Sequence, residues 1–281
     1  MAGVPNQVFI PSNLHELFSL WSRFPDSVPY AGGISFIRYQ EKYLPVLPNN
    51  ILSLEDIPEL RRIARTENYL EIGAMVRLNE IINLGKIVPD VFIRTMEAIA
   101  GFHVQNTVTI GGNLCDKKNR LDCSAPLSAL DAQYELRSAS SSRWISATRF
   151  SESVPPALNP QELLTRIRIP LEQWNYSRYR KFKPPGSNEQ GSVIVFVAKN
   201  EKDILTDLRL AYSGNYLLQN KQSENHLIGK HLPLEFRDAR LFYYDWKKYL
   251  DSIKPGKTAA EELLTFQILN FIEDTIADFT D

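Results

Sequence analysis

The apolar positions of the first thirty residues change period twice. Val8, Phe9 and Ile10 are consecutive and stop at Pro11, which predicts a short strand. Leu14, Leu17, Phe18 and Trp21 then recur at three- and four-residue spacing, which predicts a helix with one buried face. Ser12 or Asn13 caps that helix, with Glu16 three residues after Asn13 as in a capping box, and Pro25 ends it. Val28 to Ala31 reads as a second strand running into Gly32-Gly33, Leu44 to Leu47 as a third, and Ile51 to Leu54 as a fourth. The first crossover is long enough for a helix, so the stretch reads as a small β-α-β-β unit.

A second unit follows. Ile57 to Ile63 reads as a short helix or turn, and Tyr69 to Ile72 as a strand ending in Gly73. Arg77 to Asn83 and Val88 to Ala100 read as helices, the latter with Val91, Thr95, Ala98 and Ile99 on one face. Val104 to Ile110 reads as extended and closes on Gly111-Gly112. Ala129 to Arg137 reads as a strand, Ser138 to Ser142 as a turn, and Leu163 to Ile169 as a strand stopped by Pro170. A domain boundary is expected just beyond it. Three further strands, Tyr176 to Phe182, Val193 to Lys199 and Ile204 to Tyr212, have short Gly- or Asp-containing connections, the pattern of an antiparallel meander. Helices near Arg237 to Ile253 and Thr258 to Phe279 end the chain. Its 281 residues fit two domains of ordinary size.

Composition narrows the function classes. The chain is 43% apolar and 23% charged, as in an ordinary globular protein. A net charge of −1, from 32 basic and 33 acidic residues, leaves no electrostatic footprint for nucleic acid. The apolar runs are too short to cross a bilayer. Met1 to Pro11 carries no basic residue ahead of an apolar run, which argues against a secretion signal and for a cytoplasmic protein. The sequon Asn175-Tyr176-Ser177 therefore carries no weight. Cys115 and Cys123 are the whole thiol inventory; they read as two reduced thiols, with a disulfide left open. Two cysteines cannot supply the four ligands of an iron–sulfur cluster, and the histidines at 15, 103, 226 and 231 are scattered. No protein-bound metal is expected.

Candidate chemistry sits in two double-glycine loops, Ala31-Gly32-Gly33-Ile34-Ser35 and Thr109-Ile110-Gly111-Gly112-Asn113. A diphosphate needs several backbone N–H donors at close range, and glycine lets the chain approach without a Cβ and adopt positive φ. Ser35 and Asn113 add side-chain donors. Each Gly-Gly alone is an ordinary turn; two of them, both following strands, suit a dinucleotide clamp. The better-known nucleotide motifs are missing. GxGxxG is absent, and Gly186-Ser187-Asn188-Glu189-Gln190-Gly191-Ser192 has P-loop glycine spacing without the lysine.

At these residues the chain resembles the FAD-binding subunit of the xanthine dehydrogenase and carbon monoxide dehydrogenase group of molybdenum hydroxylases. The resemblance runs over nearly the whole chain. It includes AGG-x-S at 31–35, Leu70 to Ala74, and Gln105-Asn106-Thr107-Val108-Thr109-Ile110-Gly111-Gly112-Asn113-Leu114. It continues through Leu121-Asp122, Ile167-x-Ile169-Pro170, Tyr179-x-Lys181, Ala211-Tyr212-x-Gly214 and Leu227-x-Gly229-Lys230. The TIGGN stretch is its most specific part.

The resemblance implies an α+β fold. A flavin domain of the vanillyl-alcohol-oxidase (PCMH) type would span 1–172, with subdomains of about 1–56 and 57–172. A C-terminal domain, a three-stranded antiparallel sheet with helices, would span 173–281. It also implies non-covalent FAD, since no residue matches a flavin attachment site; His103 and Cys115, near the second loop, receive no such role. The implied FAD contacts are Pro29, Tyr30, Ala31, Gly32, Gly33, Ile34, Ser35 and Phe36 from the first loop, and Thr109, Ile110, Gly111, Gly112 and Asn113 from the second. Asp122 would accept hydrogen bonds from FAD hydroxyls, Ile99 and Leu164 would lie near the flavin, and Lys181 close to the isoalloxazine ring. The implied role is to take electrons from a [2Fe-2S] small subunit onto FAD and deliver them to an external acceptor, with substrate oxidised at a molybdenum cofactor on a large subunit. No catalytic acid or base is expected here. The alternatives are an assembly scaffold without redox activity and a stand-alone flavin oxidoreductase. The family usually has Arg where this chain has Gln105, Thr or His at Ile34, and an Arg with an acidic residue where this chain has Pro184-Pro185-Gly186-Ser187-Asn188.

Overall fold

Strand β1 (Gln7–Phe9) leads into helix α1 (Leu14–Arg23), whose start is fixed by local bonds. Asn13 caps it by accepting from the Glu16 N–H at 2.9 Å. The Glu16 carboxylate returns the bond one residue further out, accepting from the Ser12 N–H and hydroxyl at 2.8 Å each. Strands β2 (Val28–Tyr30) and β3 (Asn50–Ser53) complete a parallel sheet in the order β1-β3-β2, with helix α2 (Ile34–Arg38) following β2. The predicted apolar face of α1, Leu14, Leu17, Phe18 and Trp21, buries against Leu52, Leu54, Ile57, Leu60, Met75 and Leu163.

The computed structural model describes residues 7–38, 47–99, 101–119, 121–182, 191–253 and 259–280. The expected strand at Leu44 to Leu47 lies outside these residues except for Leu47, which is coil, and the segment Pro184 to Asn188 lies outside them altogether. The chain divides into two compact units, Met1–Glu172 and Gln173–Asp281.

The rest of the first unit is a five-stranded sheet with short helices. Its strands are β4 (Ile63–Arg65), β5 (Tyr69–Gly73), β6 (Gln133–Arg137), β7 (Ser142–Ser146) and β8 (Leu163–Pro170). They run in the order β4-β5-β8-β6-β7, every neighbour antiparallel. Between β5 and β6 come α3 (Leu78–Ile82), α4 (Asp90–Glu97), α5 (Phe102–Gln105), α6 (Ile110–Leu114) and α7 (Ser124–Ala129), and α8 (Ala147–Phe150) follows β7. A charged lattice crosses the sheet: Glu71 pairs with Arg166 and Arg168 at 2.7 Å each, Arg166 with Glu135 at 3.1 Å, and Arg168 lies 4.1 Å from the Trp144 ring centroid.

Two expectations change here. Val104 to Ile110, expected to be extended, instead forms α5 and the start of α6, with a single-residue bridge, Thr109 to Arg77, between them. Val104, Thr107, Val108 and Thr109 favour a strand, but two successive N–H to C=O turns, Asn106 to Phe102 and Val108 to Val104, wind the chain helically. Ala129 to Arg137 splits into the end of α7 and β6, separated at Asp131 by a positive φ of 51°.

In the second unit, β9 (Tyr176–Phe182), β10 (Ser192–Glu201) and β11 (Ile204–Ser213) form the expected meander. Lys202 and Asp203, at φ 49° and 62°, make the two-residue hairpin whose twist suits antiparallel strands. The sheet has four strands rather than the expected three: β12 (Leu217–Gln219) pairs with the end of β11. Three residues are too few for an alternating pattern to show in sequence. Helices α9 (Lys221–Leu227), α10 (Phe236–Ile253) and α11 (Ala259–Ala277) cover one face, burying Phe242, Trp246 and Phe271 against Ile194, Phe196 and Leu210. Among the described residues no helix is long and apolar enough to cross a membrane, and no group of three or more His, Cys, Asp and Glu side chains could hold a metal ion.

Candidate functional site

The first loop follows a strand, as expected. Tyr30 ends β2 with its carbonyl accepting from the Leu54 N–H at 2.9 Å, and its ring stacks on Phe36 at 5.2 Å. Gly33 is buried at φ +74°, where an added Cβ would overlap the Tyr30 hydroxyl. The first bond of α2 runs from the Phe36 N–H to the Gly33 carbonyl at 3.1 Å. The N–H groups of Ile34 and Ser35 precede it and have no acceptor inside the helix.

The second loop is built differently. Gly111-Gly112 lies inside α6, not after a strand, and Thr109 caps that helix by accepting from the Gly112 N–H at 3.1 Å. Gly111 has no positive φ; its reason is close approach, since a Cβ there would sit 2.7 Å from the Ala74 Cβ and 2.8 Å from its carbonyl oxygen. The N–H groups of Ile110, Gly111 and Asn113 go to the carbonyls of Val76, Ala74 and Thr109 at 2.9, 2.8 and 2.9 Å. The four donors expected to face a diphosphate therefore already have protein acceptors.

The structure brings the two loops together. Gly32 faces the Thr107 carbonyl so closely that a Cβ would overlap its oxygen. The Ser35 hydroxyl donates to Asp116 Oδ2 at 2.8 Å, just past the C-terminus of α6. Asn113, 4% exposed, accepts from the Cys123 N–H at 3.3 Å through Oδ1 and so holds the segment that carries Asp122, itself 6% exposed. Leu164 is buried on β8, against which α6 packs, and the Ala74 N–H donates to the carbonyl of its neighbour Thr165 at 3.0 Å. Pro29 and Ala31 are half-buried beside Tyr30.

Ile99 is half-buried in the turn between α4 and α5. Gln105 braces that turn: its Nε2 donates to the carbonyls of Met96 at 3.3 Å and Glu97 at 3.2 Å. A neutral amide thus satisfies the end of α4, a position at which a cation also suits the helix dipole. Lys181 belongs to the second unit, half-buried on β9 opposite Val193. Both cysteines are free thiols, and burial pushes the Cys115 thiol up to about 12, which removes it as a nucleophile at neutral pH.

Two participants escaped sequence reasoning. Thr107 matters through its main chain, which carries no side-chain signal. Asp116 had one: an aspartate followed by two polar residues is the signature of a side chain that caps its own turn, and Oδ1 accepts from the Lys118 and Asn119 N–H groups at 2.9 Å each.

Residues 4–172 match the family described as the FAD binding domain in molybdopterin dehydrogenase. The chain is 28% identical to the glyceraldehyde dehydrogenase medium chain of Sulfolobus acidocaldarius over 225 residues, covering 78% of this chain and 80% of that one. It is 26% identical to the carbon monoxide dehydrogenase medium chain of Afipia carboxidovorans, covering 78% of each, and 26% identical to the nicotine 6-hydroxylase medium subunit of Paenarthrobacter nicotinovorans, covering 82% of each. The fold is similar to that of a chain in the Cu,Mo-CO dehydrogenase crystal structure, with a TM-score of 0.82 at 22% identity over 98% of this chain and 97% of that one. Paired glycine loops in close contact, set in a mixed helix-and-sheet unit, and a match over more than half its length place the chain in one family: it belongs to the FAD-binding domains of molybdopterin dehydrogenases.

Proposed function

We propose that this chain is the FAD-carrying, electron-transferring subunit of a molybdenum hydroxylase. The observation that carries the reading is the clamp, in which Gly32 of the first loop lies against Thr107 beside a second loop buried on Ala74. Bound FAD supplies a centre that receives electrons from one partner and passes them to another. The chain's own residues bind and orient it. The first turn of α2 offers N–H groups to the diphosphate, the loop of Thr109, Ile110, Gly111, Gly112 and Asn113, packed on Ala74, lines its other side, and Asp122 accepts from a hydroxyl. Ile99 and Leu164 flank the ring system. Residues 1–172 form the flavin domain, of vanillyl-alcohol-oxidase type with subdomains of about 1–56 and 57–172, and residues 173–281 the C-terminal domain of these flavoproteins. The partners are a molybdenum-cofactor large subunit and a [2Fe-2S] small subunit in the cytoplasm; the medium-chain names of three relatives support that assembly.

The reading is tested on the purified chain. It is expected to be yellow, to release its flavin into the supernatant on acid precipitation, and to bleach with dithionite. Under anaerobic conditions an aldehyde, a purine or carbon monoxide should leave the flavin oxidised until the two partner subunits are added. Rapid bleaching by substrate with the chain alone would place substrate chemistry here and overturn the reading.

Asp122→Ala is expected to weaken FAD without abolishing binding. A charge-assisted hydrogen bond contributes about 1.5–3 kcal/mol, which is roughly tenfold to somewhat over a hundredfold in affinity. An unchanged dissociation constant for the FAD-free protein would remove Asp122 from the site.

A further inference from the structure

Helices α10 and α11 of the second unit carry opposite charge on the side turned away from the sheet. Both bury their apolar faces in one core with the strands, through Phe242 and Trp246 on α10 and Phe271 and Ile272 on α11, so their exposed residues face outward together. On α10 these include Arg237, Arg240, Lys247 and Lys248. The two acids of that stretch are turned to neighbours: Asp238 pairs with Lys230 at 3.2 Å and Asp245 with His226 at 2.8 Å. On α11 the exposed residues include Glu262 and Glu273. Among the described residues, none of these four cations and two carboxylates has an ion-pair partner.

Apolar side chains stand among the charges. Phe236 is 72% exposed and Phe266 61%, and Leu241, Tyr244 and Leu263 are exposed as well. The Arg240 guanidinium lies 5.6 Å from the Phe236 ring centroid and 5.5 Å from that of Tyr244, and it donates to the Tyr244 hydroxyl at 2.9 Å. Aromatic and arginine side chains of this kind are what protein interfaces enrich.

We propose that this helical face docks on the same face of a second copy of the chain, with α10 of each copy lying over α11 of the other. A two-fold axis parallel to the helices makes both contacts at once and sets basic against acidic twice. The helices run antiparallel: the N–H of Leu234, two residues before α10, donates to the carbonyl of Phe279, two residues after α11, at 2.6 Å. Arg240 and Glu273 each lie six residues in from that bond and so stand at the same height. The axis preserves height, which brings Arg240 of one copy opposite Glu273 of the other. Two helices, each about 27 Å long and about 10 Å wide, offer on the order of 500 Å² per copy, the lower end for a specific contact, so the dimer dissociates on dilution.

The test is sedimentation velocity of the full chain over a concentration series. The parent is expected to pass from monomer to dimer, at higher concentration when salt is raised, because screening weakens the charge pairing. Arg240→Glu and Glu273→Arg should each weaken dimerisation by about tenfold or more. The double variant should recover most of the parent's affinity, since opposite charges again meet across the axis. Far-UV circular dichroism should be unchanged in all three, as both side chains are exposed. A parent that stays monomeric, a dimer indifferent to Arg240→Glu, or a double variant no better than the single ones would each overturn the proposal. A monomeric parent that sediments with phosphatidylserine vesicles would give the face to a lipid surface and overturn it too.

Discussion

Gly32→Ala is expected to strip FAD from the protein. The added methyl would overlap the Thr107 carbonyl oxygen, a main-chain atom with no rotamer to swing aside. The two loops must therefore separate, and the N–H groups of the first are carried away from the wall made by the second. Overpacking of this kind costs about 1–3 kcal/mol of stability, which the fold survives. Gly85→Ala is the matched control. Gly85 has a φ of +61° and nothing within 4 Å of an added Cβ, so alanine there strains the backbone, at about 1 kcal/mol, without touching either loop. Flavin content after purification and far-UV circular dichroism separate the outcomes. A Gly32→Ala protein that keeps its flavin would show that the close approach of the loops has no bearing on the cofactor.

Glu224→Gln is expected to flatten the pH dependence of stability. Glu224 is 6% exposed on α9, where one carboxylate oxygen accepts from the Leu210 N–H at 2.9 Å beside the short strand β12. Burial raises its carboxyl from an ordinary 4.5 to about 7, against the smaller opposing effects of the Leu210 bond, Arg209 and Lys221, with Asp207 adding to the rise. The folded value lies above the unfolded one. The contribution to stability is therefore fully present below about pH 4.5 and is lost as pH rises through 7. At about 1.4 kcal/mol per unit, the full loss is on the order of 3 kcal/mol. Glutamine keeps an acceptor for Leu210 and cannot ionise. Other carboxyls titrate in both proteins and cancel in the comparison. Urea unfolding at pH 4.5 and pH 8 should show the variant gaining on the parent by roughly that amount. A constant difference between the two pH values would mean that Glu224 does not titrate in this window.

Much of the architecture was legible because local and long-range preferences agree. The spacing of Leu14, Leu17, Phe18 and Trp21 and the cap at Asn13 point to one helix, and the β9–β11 meander is punctuated by an Asp-containing turn. Where they disagree, sequence reading fails. Val104 to Ile110 has strand-forming side chains, yet the chain folds back through α5 so that Val76 and Ala74 can receive the N–H groups of Ile110 and Gly111. That choice is made by residues far earlier in the chain, Ala74 and Val76. The site was legible to the same extent. Paired glycines announced that two backbones come close to something, but not that Gly32 comes close to Thr107 or that Ser35 donates to Asp116. Contacts between main-chain atoms far apart in sequence leave no trace in side-chain identity.

The bonds of residues 110 to 113 have a further consequence. They use protein atoms only, so they form whether or not a cofactor is near. Fixing a residue's backbone costs roughly 1–2 kcal/mol in entropy. For this half of the site that cost is met during folding rather than at the moment of binding. The first loop is held by protein atoms too, through the Phe36 N–H bond to the Gly33 carbonyl, the Ser35 bond to Asp116 and the packing of Gly32 on Thr107, so on the proposed reading capture of the dinucleotide has little left to order.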